Sequence, residues 1–285
     1  METVVRSRSK TVVIGPEQPF CVIGERINPT GRKAFQAQLQ AGDLSQLETD
    51  VSQQVDGGAD MLDVNVGDPL ADEVGLMGQA IPLVQGLCDL PLCIDSSIIE
   101  ALEAGLAAYE GKALVNSVTG EDERLEAILP TVAKYGAAVI GLANAEDIPM
   151  EPERRLAIAK HIVAVAGDYG IPPEDIVIDP LAMPIGAEPR AVTLFIETLH
   201  LLRDELGVNT TCGAGNTSFG LPGRHTLGAA FLAVAQSHGL TSAIMDSRRP
   251  EMVESVRATD FLLGRDEWGA RWIADFRKKQ AAATA

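Results

Sequence analysis

Short apolar runs alternate with longer amphipathic stretches along most of the chain. The runs are Phe20–Arg26, Met61–Val66, Leu92–Asp95, Ala113–Asn116, Ala138–Leu142, Ile176–Asp179, Asn209–Cys212 and Ala243–Asp246. They are too short for helices, and they do not alternate strictly between apolar and polar residues. Each therefore predicts a strand covered on both faces, as in a parallel sheet. The intervening stretches have helical length and spacing, among them Leu44–Val55, Ile98–Tyr109, Arg124–Tyr135, Glu153–Tyr169, Thr193–Leu206 and His225–His238. Gly111, Gly136, Gly170, Gly207 and Gly239 follow helical stretches and read as helix stops before the next strand.

Eight strand–helix units predict an α/β fold, a single (β/α)₈ barrel, because an open doubly wound sheet usually carries fewer strands at this length. The 285 residues suit one such barrel, typically ~250 residues. Residues 1–19 read as an N-terminal extension and 20–264 as the barrel. Residues 265–285 read as a last helix, carrying Trp268, Trp272, Ile273 and Phe276, with an Ala-rich tail.

Composition narrows the function. A net charge of −17 disfavours nucleic acid and anionic membrane surfaces as partners, so an anionic ligand needs local positive groups. The first ten residues are polar and basic, without the apolar segment of a secretory signal, and no apolar run reaches membrane-spanning length. A cytoplasmic protein is expected. Cys21, Cys88, Cys93 and Cys212 form no Cys-x-x-Cys pair, and the four histidines show no ligand spacing with them. Reduced, mostly buried thiols and no bound metal are expected.

In such a barrel the active site forms where the strands end. The runs close on Glu25, Arg26 and Asn28, on Asp63 and Asn65, on Asp95, Ser96 and Ser97, and on Asn116 and Ser117. Asn144, Asp179, Gly215 and Asn216, and Asp246 and Ser247 follow on the later strands. These are mostly carboxylates and carboxamides. No Ser–His–Asp order, metal-spaced histidine pair or strand-end lysine accompanies them, which argues against covalent hydrolysis, zinc hydrolysis and Schiff-base chemistry. A mouth of acids and amides suits a flat heterocycle with several N–H donors and carbonyl acceptors, such as the 2-amino-4-oxo edge of a pterin. The other reading of such residues is that they cap the following helices.

Ile23-Gly24-Glu25-Arg26-Ile27-Asn28, Leu62-Asp63-Val64-Asn65-Val66-Gly67, Cys93-Ile94-Asp95-Ser96, Val115-Asn116-Ser117, Ile178-Asp179-Pro180-Leu181 and Gly215-Asn216-Thr217-Ser218 occur in that order, each at a strand end. Together they resemble the pterin-binding methyltransferases: methyltetrahydrofolate:corrinoid protein methyltransferases and the folate domain of cobalamin-dependent methionine synthase. The resemblance covers roughly residues 20–262. It implies that Asp95, Asn116 and Asp179 hold the pterin, that Asp63 and Asn65 line the deeper mouth, and that Asn216 lies near N5. It places Arg224 near the folate tail, with Glu25, Ser96 and Asp246 as secondary candidates. Phe219-Gly220-Leu221-Pro222 resembles the methionine synthase module more than the acetogenic enzymes, which carry more polar residues there.

The implied reaction moves a methyl group between N5 of tetrahydrofolate and the cobalt of a corrinoid, with (methyl)tetrahydrofolate as substrate. No Asp-x-His-x-x-Gly run occurs in the sequence, so the corrinoid (cobalamin) is expected on a separate partner protein. The resemblance also implies a homodimer. The alternative is a dihydropteroate synthase-like enzyme, which shares the fold. That family places a lysine near the end of strand seven, where this chain has Gly213-Ala214-Gly215-Asn216, and an arginine at strand eight, which Ser247-Arg248-Arg249 offers.

Overall fold

The computed structural model describes residues 1–284. In chain order the elements are β1 (Thr3–Arg6), β2 (Thr11–Ile14), β3 (Cys21–Ile27), α1 (Lys33–Gln40), α2 (Gln46–Gly57), β4 (Met61–Val64), α3 (Glu73–Leu87) and β5 (Leu92–Asp95). Then follow α4 (Ile99–Ala108), β6 (Leu114–Val118), α5 (Asp122–Tyr135), β7 (Ala138–Leu142), α6 (Pro152–Asp168), β8 (Ile176–Asp179), α7 (Ala191–Glu205) and β9 (Asn209–Thr210). The last are α8 (Arg224–Ser237), β10 (Ser242–Met245), α9 (Pro250–Leu262) and α10 (Ala270–Thr284).

Strands β3 to β10 form one parallel sheet in the order β10-β3-β4-β5-β6-β7-β8-β9. The sheet closes into a barrel between β9 and β10, where Ile244 N donates to Cys212 O at 2.9 Å. The strand expected over Asn209–Cys212 is regular only at Asn209–Thr210. Side chains replace backbone rungs at this seam. Thr210 N donates to Thr241 Oγ1, and the hydroxyls of Thr241 and Ser242 both donate to Thr210 O, each at 2.9 Å.

The strands' outward faces pack beneath the helices in two large apolar clusters. The inward faces form a third, smaller cluster that includes Cys21, Ile23, Met61, Cys93, Leu114, Ala138, Ile140 and Val177. Two residues of the N-terminal segment, Val5 and Ile14, belong to this inner cluster and are fully buried. Residues 1–19 carry an antiparallel hairpin, β1–β2. Its β-branched residues suit extended backbone, and its turn is held by Ser7 N donating to Lys10 O at 2.9 Å. The hairpin stops the N-terminal end of the barrel. Asn209 Nδ2 donates to Thr3 Oγ1 and Ile14 O, both at 2.9 Å, and Arg6 and Lys112 exchange backbone hydrogen bonds at 2.9 and 2.8 Å.

At the other terminus, Asp60 accepts from Arg257 at 3.0 Å and from Arg271 at 2.8 Å, which fastens α9 and α10 to the barrel. Trp272 is half-buried there, whereas Trp268 is 86% exposed. Among the described residues, no helix is long and apolar enough to cross a membrane.

Candidate active site

Side chains alternate between the two faces of a strand, so the inner cluster fixes which residues point into the barrel. Above Cys21 and Ile23 comes Glu25. Above Met61 come Asp63 and Asn65, above Cys93 comes Asp95, and above Leu114 comes Asn116. Asp179 stands above Val177, and Asp246 above Ile244. Each of these inward columns is apolar at the plugged end and polar at the open end. The polar residues read from the sequence therefore converge because they share strand parity.

They also bond to one another. Asn65 Nδ2 donates to Asp95 Oδ2 at 2.8 Å, and Asn116 Nδ2 donates to Asp63 Oδ1 at 3.1 Å. Burial, reinforced by the Asp95 charge, holds the Asp63 carboxyl well above the usual range. Burial also pushes Asp95 up to about 6, although the Asn65 amide draws it back down; nearby Glu73 adds to the rise. The two carboxyls act on each other, and burial raises both above the ordinary carboxylate range.

Asp179 faces them from β8. Burial pushes it up to about 7, opposed by the Leu181 amide, which donates to Asp179 Oδ1 at 2.7 Å, and by the charge of Arg155. Leu181 adopts φ 67°, a left-handed conformation that side-chain-bearing residues avoid. Arg155 holds the turn in that shape. It is buried in α6 and donates to Pro149 O at 2.8 Å, Pro180 O at 2.6 Å and Leu181 O at 3.1 Å.

Glu25 sits where the register of β3 against β4 shifts, between Gly24 and Ile27. The absence of a side chain at Gly24 admits Gln54. A Cβ there would lie 2.5 Å from Gln54 Oε1, the atom that accepts the Arg26 amide at 2.7 Å. Burial, aided by Asp246, pushes Glu25 up to about 7, while Arg224, Arg26 and Arg248 pull it down. Asp246 is bound by Arg248 through Nε and Nη2, both at 2.8 Å. Despite its burial, Asp246 lies below the ordinary carboxylate range because Arg248 and Arg249 outweigh the desolvation.

Asn216 lies in the turn after β9, exposed at the mouth. Its carboxamide folds back over Gly213, where a Cβ would meet Asn216 Nδ2 at 3.0 Å. Arg224, at the start of α8, donates to Gly215 O at 3.2 Å. Ser96 is buried, its hydroxyl bonded to Glu73 and accepting from Ile98 N. Glu73 and Arg155 were not singled out from the sequence. Arg155 did carry a signal, because it falls on the buried stripe of α6 with Leu156, Ala159, Ile162 and Ala166. Glu73, in the first turn of α3, gave none.

Residues 24–246 match the family model described as pterin binding enzyme. The chain belongs to the pterin-binding enzymes. It is 29% identical over 265 residues to a methylcorrinoid:tetrahydrofolate methyltransferase of Eubacterium limosum, covering 90% of this chain and 96% of that one. It is 30% identical over 262 residues to the methionine synthase of Mycobacterium tuberculosis, covering 87% of this chain but 22% of that much longer protein. Among solved structures, it resembles a Yersinia pestis DHPS with a pterine-sulfa conjugate, at a TM-score of 0.69 and 16% identity, with 92% of this chain and 99% of that chain covered. It also resembles a Xanthomonas albilineans dihydropteroate synthase in complex with 7,8-dihydropteroate, at a TM-score of 0.62 and 20% identity, covering 88% and 95%. At those identities the likeness concerns the fold. The sequence's resemblance to pterin-binding methyltransferases and its reading as a (β/α)₈ barrel are both borne out.

Proposed function

We propose that this pterin-binding enzyme transfers a methyl group between N5 of tetrahydrofolate and the cobalt of a corrinoid carried by a separate protein. The observation that carries this reading is the ring of inward carboxyls and carboxamides. Asp95, Asn116 and Asp179 come from β5, β6 and β8, and the first two are bonded to the deeper Asn65 and Asp63. An ionised carboxylate accepts from the 2-amino group and ring N–H of a pterin, while a carboxamide both donates and accepts. The similarity to the E. limosum protein along nearly all of both chains supports the methyl transfer.

In this reading Asp95 and Asp179 grip the pterin edge and Asn116 completes its donors and acceptors. Asn216, whose carboxamide oxygen accepts a hydrogen bond, stabilises N5 as it gains a proton. Proton donation matters because N5 is a poor leaving group without it; general acid assistance contributes about 10²–10⁴-fold. The corrinoid supplies a nucleophilic cobalt as the methyl acceptor. The same contacts serve the reverse direction, in which tetrahydrofolate receives the methyl group. The supporting likeness for a dihydropteroate synthase activity is weaker, and Arg248, the arginine after the last strand, is occupied by Asp246.

The test mixes the protein with methyltetrahydrofolate and cob(I)alamin and follows methylcobalt absorption. Growth of that band at a rate proportional to protein supports the reading. No change, together with condensation of p-aminobenzoate with a pterin pyrophosphate, favours the dihydropteroate synthase alternative.

A further inference from the structure

Residues 219–223 lead from the turn of Asn216 to α8. Phe219, Gly220, Pro222 and Gly223 are exposed, and Leu221 alone of the five is partly buried. The chain bends on both sides of it, because Gly220 and Gly223 take φ 75° and 62°, a region glycine enters without steric cost. The Leu221 side chain packs against Gly186, on the loop after β8. A Cβ at Gly186 would lie 3.2 Å from Leu221 Cδ2. Gly186 itself lies outside the left-handed region, so its backbone does not demand glycine. The room that Leu221 occupies does.

Ile185, beside it, donates its backbone N–H to Thr217 O at 3.0 Å. Among the described residues this is the one backbone hydrogen bond that joins residues 215–223 to another loop. The loop after β8 is in turn braced. Arg155 bonds Pro180 O and Leu181 O, Leu181 N bonds Asp179 Oδ1, and Ala182 is buried beneath the helices. The backbone then turns at Pro184, whose carbonyl accepts from Ala187 N and Glu188 N at 3.0 and 3.1 Å. A string of short contacts thus runs from Asp179 to the residue after Asn216. The strand that should hold Asn216 from below, β9, has only two regular residues.

We infer that Ile185 and Leu221 are positioning residues for methyl transfer, latching the turn of Asn216 to the loop of Asp179. The inference rests on the proposed placement of the pterin. Asp179 and Asn216 lie on different strands, so neither sets the distance between them. The latch sets it, and with it the approach of Asn216 to N5 of a ring held at its far edge. One hydrogen bond and one apolar contact favour the held turn by about tenfold. A displacement of about 1 Å at the reacting atom costs up to about 10²-fold in rate. The grip of Asp95, Asn116 and Asp179 on the ring does not pass through Leu221. The latch therefore acts on transfer more than on binding.

The experiment compares the wild type, Leu221→Ala, Gly186→Val and the double variant Gly186→Val/Leu221→Ala. Tetrahydrofolate affinity is read by titration and transfer by single-turnover methylcobalt formation from methyltetrahydrofolate and cob(I)alamin. Leu221→Ala empties the contact and Gly186→Val drives Leu221 out of it. Each is expected to slow transfer about tenfold and to leave affinity within about threefold. The double variant moves the apolar group from one loop to the other, and its transfer rate is expected to return to within about threefold of the wild type. Leu221→Ala made in an Asn216→Ala background is expected to slow transfer by less than about twofold further, because the latch acts through Asn216. Equal losses of affinity and rate in Leu221→Ala, no recovery in the double variant, or a full tenfold loss persisting without the Asn216 carboxamide would each overturn the inference alone. Leu221→Ala and the Asn216→Ala background decide the matter even where Gly186→Val does not fold. A wild type that binds no tetrahydrofolate and forms no methylcobalt would overturn the proposed function together with the inference, so the two failures are distinguishable.

Discussion

Asn65 gives a side-chain amide hydrogen to Asp95 Oδ2 at 2.8 Å, while its own side-chain oxygen accepts the amide of Gly67 at 2.8 Å. The second bond fixes the direction of the first, so Asn65 orients a carboxylate that lies one strand away. Asn65→Ala is expected to weaken tetrahydrofolate binding about tenfold, the scale of one hydrogen bond to a charged group. It is also expected to move the pH profile. The Asn65 amide favours the ionised form of Asp95, so its loss raises that carboxyl above about 6. Folate binding lost on acidification then disappears at a higher pH. Fluorescence titration of tetrahydrofolate from pH 5 to 8 reads both effects, and an unmoved acid limb removes Asn65 from this role.

Arg155 is the corresponding device on the far side of the mouth. Two of its three bonds to backbone carbonyls, those to Pro149 and Pro180, are buried, so truncation strands acceptors that water does not reach. Arg155→Met is expected to lower stability by about 3 kcal/mol, seen as a fall in the urea midpoint. Arg155→Lys, with one compact donor head in place of a fork, recovers less than half of it. Arg155→Met should also weaken folate binding, because Asp179 loses its shaped turn and the positive charge that favours its ionised form; Arg155→Lys, which keeps a charge, should weaken it less.

The buried carboxyls set the pH dependence of the ligand-free protein. Glu25 and Asp179 are raised to about 7, Asp95 to about 6, and Asp63 well above its ordinary value. Between the ordinary carboxylate range near pH 4 and these folded values, the native state binds more protons than the unfolded chain. Stability therefore falls as pH rises through that interval. The melting temperature is expected to be about 5 °C higher at pH 5.5 than at pH 8, opposite to a protein stabilised by surface ion pairs. Asp179→Asn should flatten the slope by removing one of the titrating groups. Calorimetry across that range checks it, and a slope unaltered in the variant would show that Asp179 does not titrate there.

The plug at the barrel floor yields a prediction remote from the mouth. Val5 is fully buried against the inner ends of the strands. Val5→Ala is expected to reduce stability by about 2 kcal/mol through lost burial and the remaining cavity. Folate affinity should stay within about twofold, since the polar layer begins one layer higher in each column. A chemical denaturation curve and a folate titration on the same variant separate the two.

The barrel was legible because its strands are buried on both sides and read as continuous apolar runs, bounded within one or two residues for most of them. Strand parity then carried the site, since Asp63, Asn65, Asp95, Asn116 and Asp179 all fall on inward positions. The hairpin's role was not legible. Thr3–Arg6 and Thr11–Ile14 look extended by composition, but four residues do not disclose which surface they cover, and here that surface is the barrel's own interior. An arginine-lined cavity was unreadable for a similar reason. Arg26, Arg224 and Arg249, which line it, are far apart in sequence, and the pairing of the last strand, β10, with the first barrel strand, β3, brings their loops together.

Asn216 is the residue on which transfer and binding should separate most cleanly. It is exposed, its carboxamide rests over Gly213, and Ala214 before it and Thr217 and Ser218 after it are buried. The turn is thus anchored on both sides of a side chain that faces the mouth. Truncating Asn216 leaves that backbone in place and removes the one carboxamide at N5 in the proposed placement. Asn216→Ala is expected to keep the wild-type melting temperature within about 1 °C, because exposed substitutions rarely exceed 0.5 kcal/mol. It should bind tetrahydrofolate within about tenfold of the wild type, because Asp95, Asn116 and Asp179 still grip the pterin edge. Methyl transfer to cob(I)alamin should fall by more than that, toward the about 10²-fold scale of an interaction made in the transition state. Binding by titration and single-turnover methylcobalt formation, measured on the same preparation, give the two numbers. If the transfer rate drops only as far as the affinity does, Asn216 merely holds the substrate, and the stabilisation of protonated N5 must come from elsewhere in the mouth.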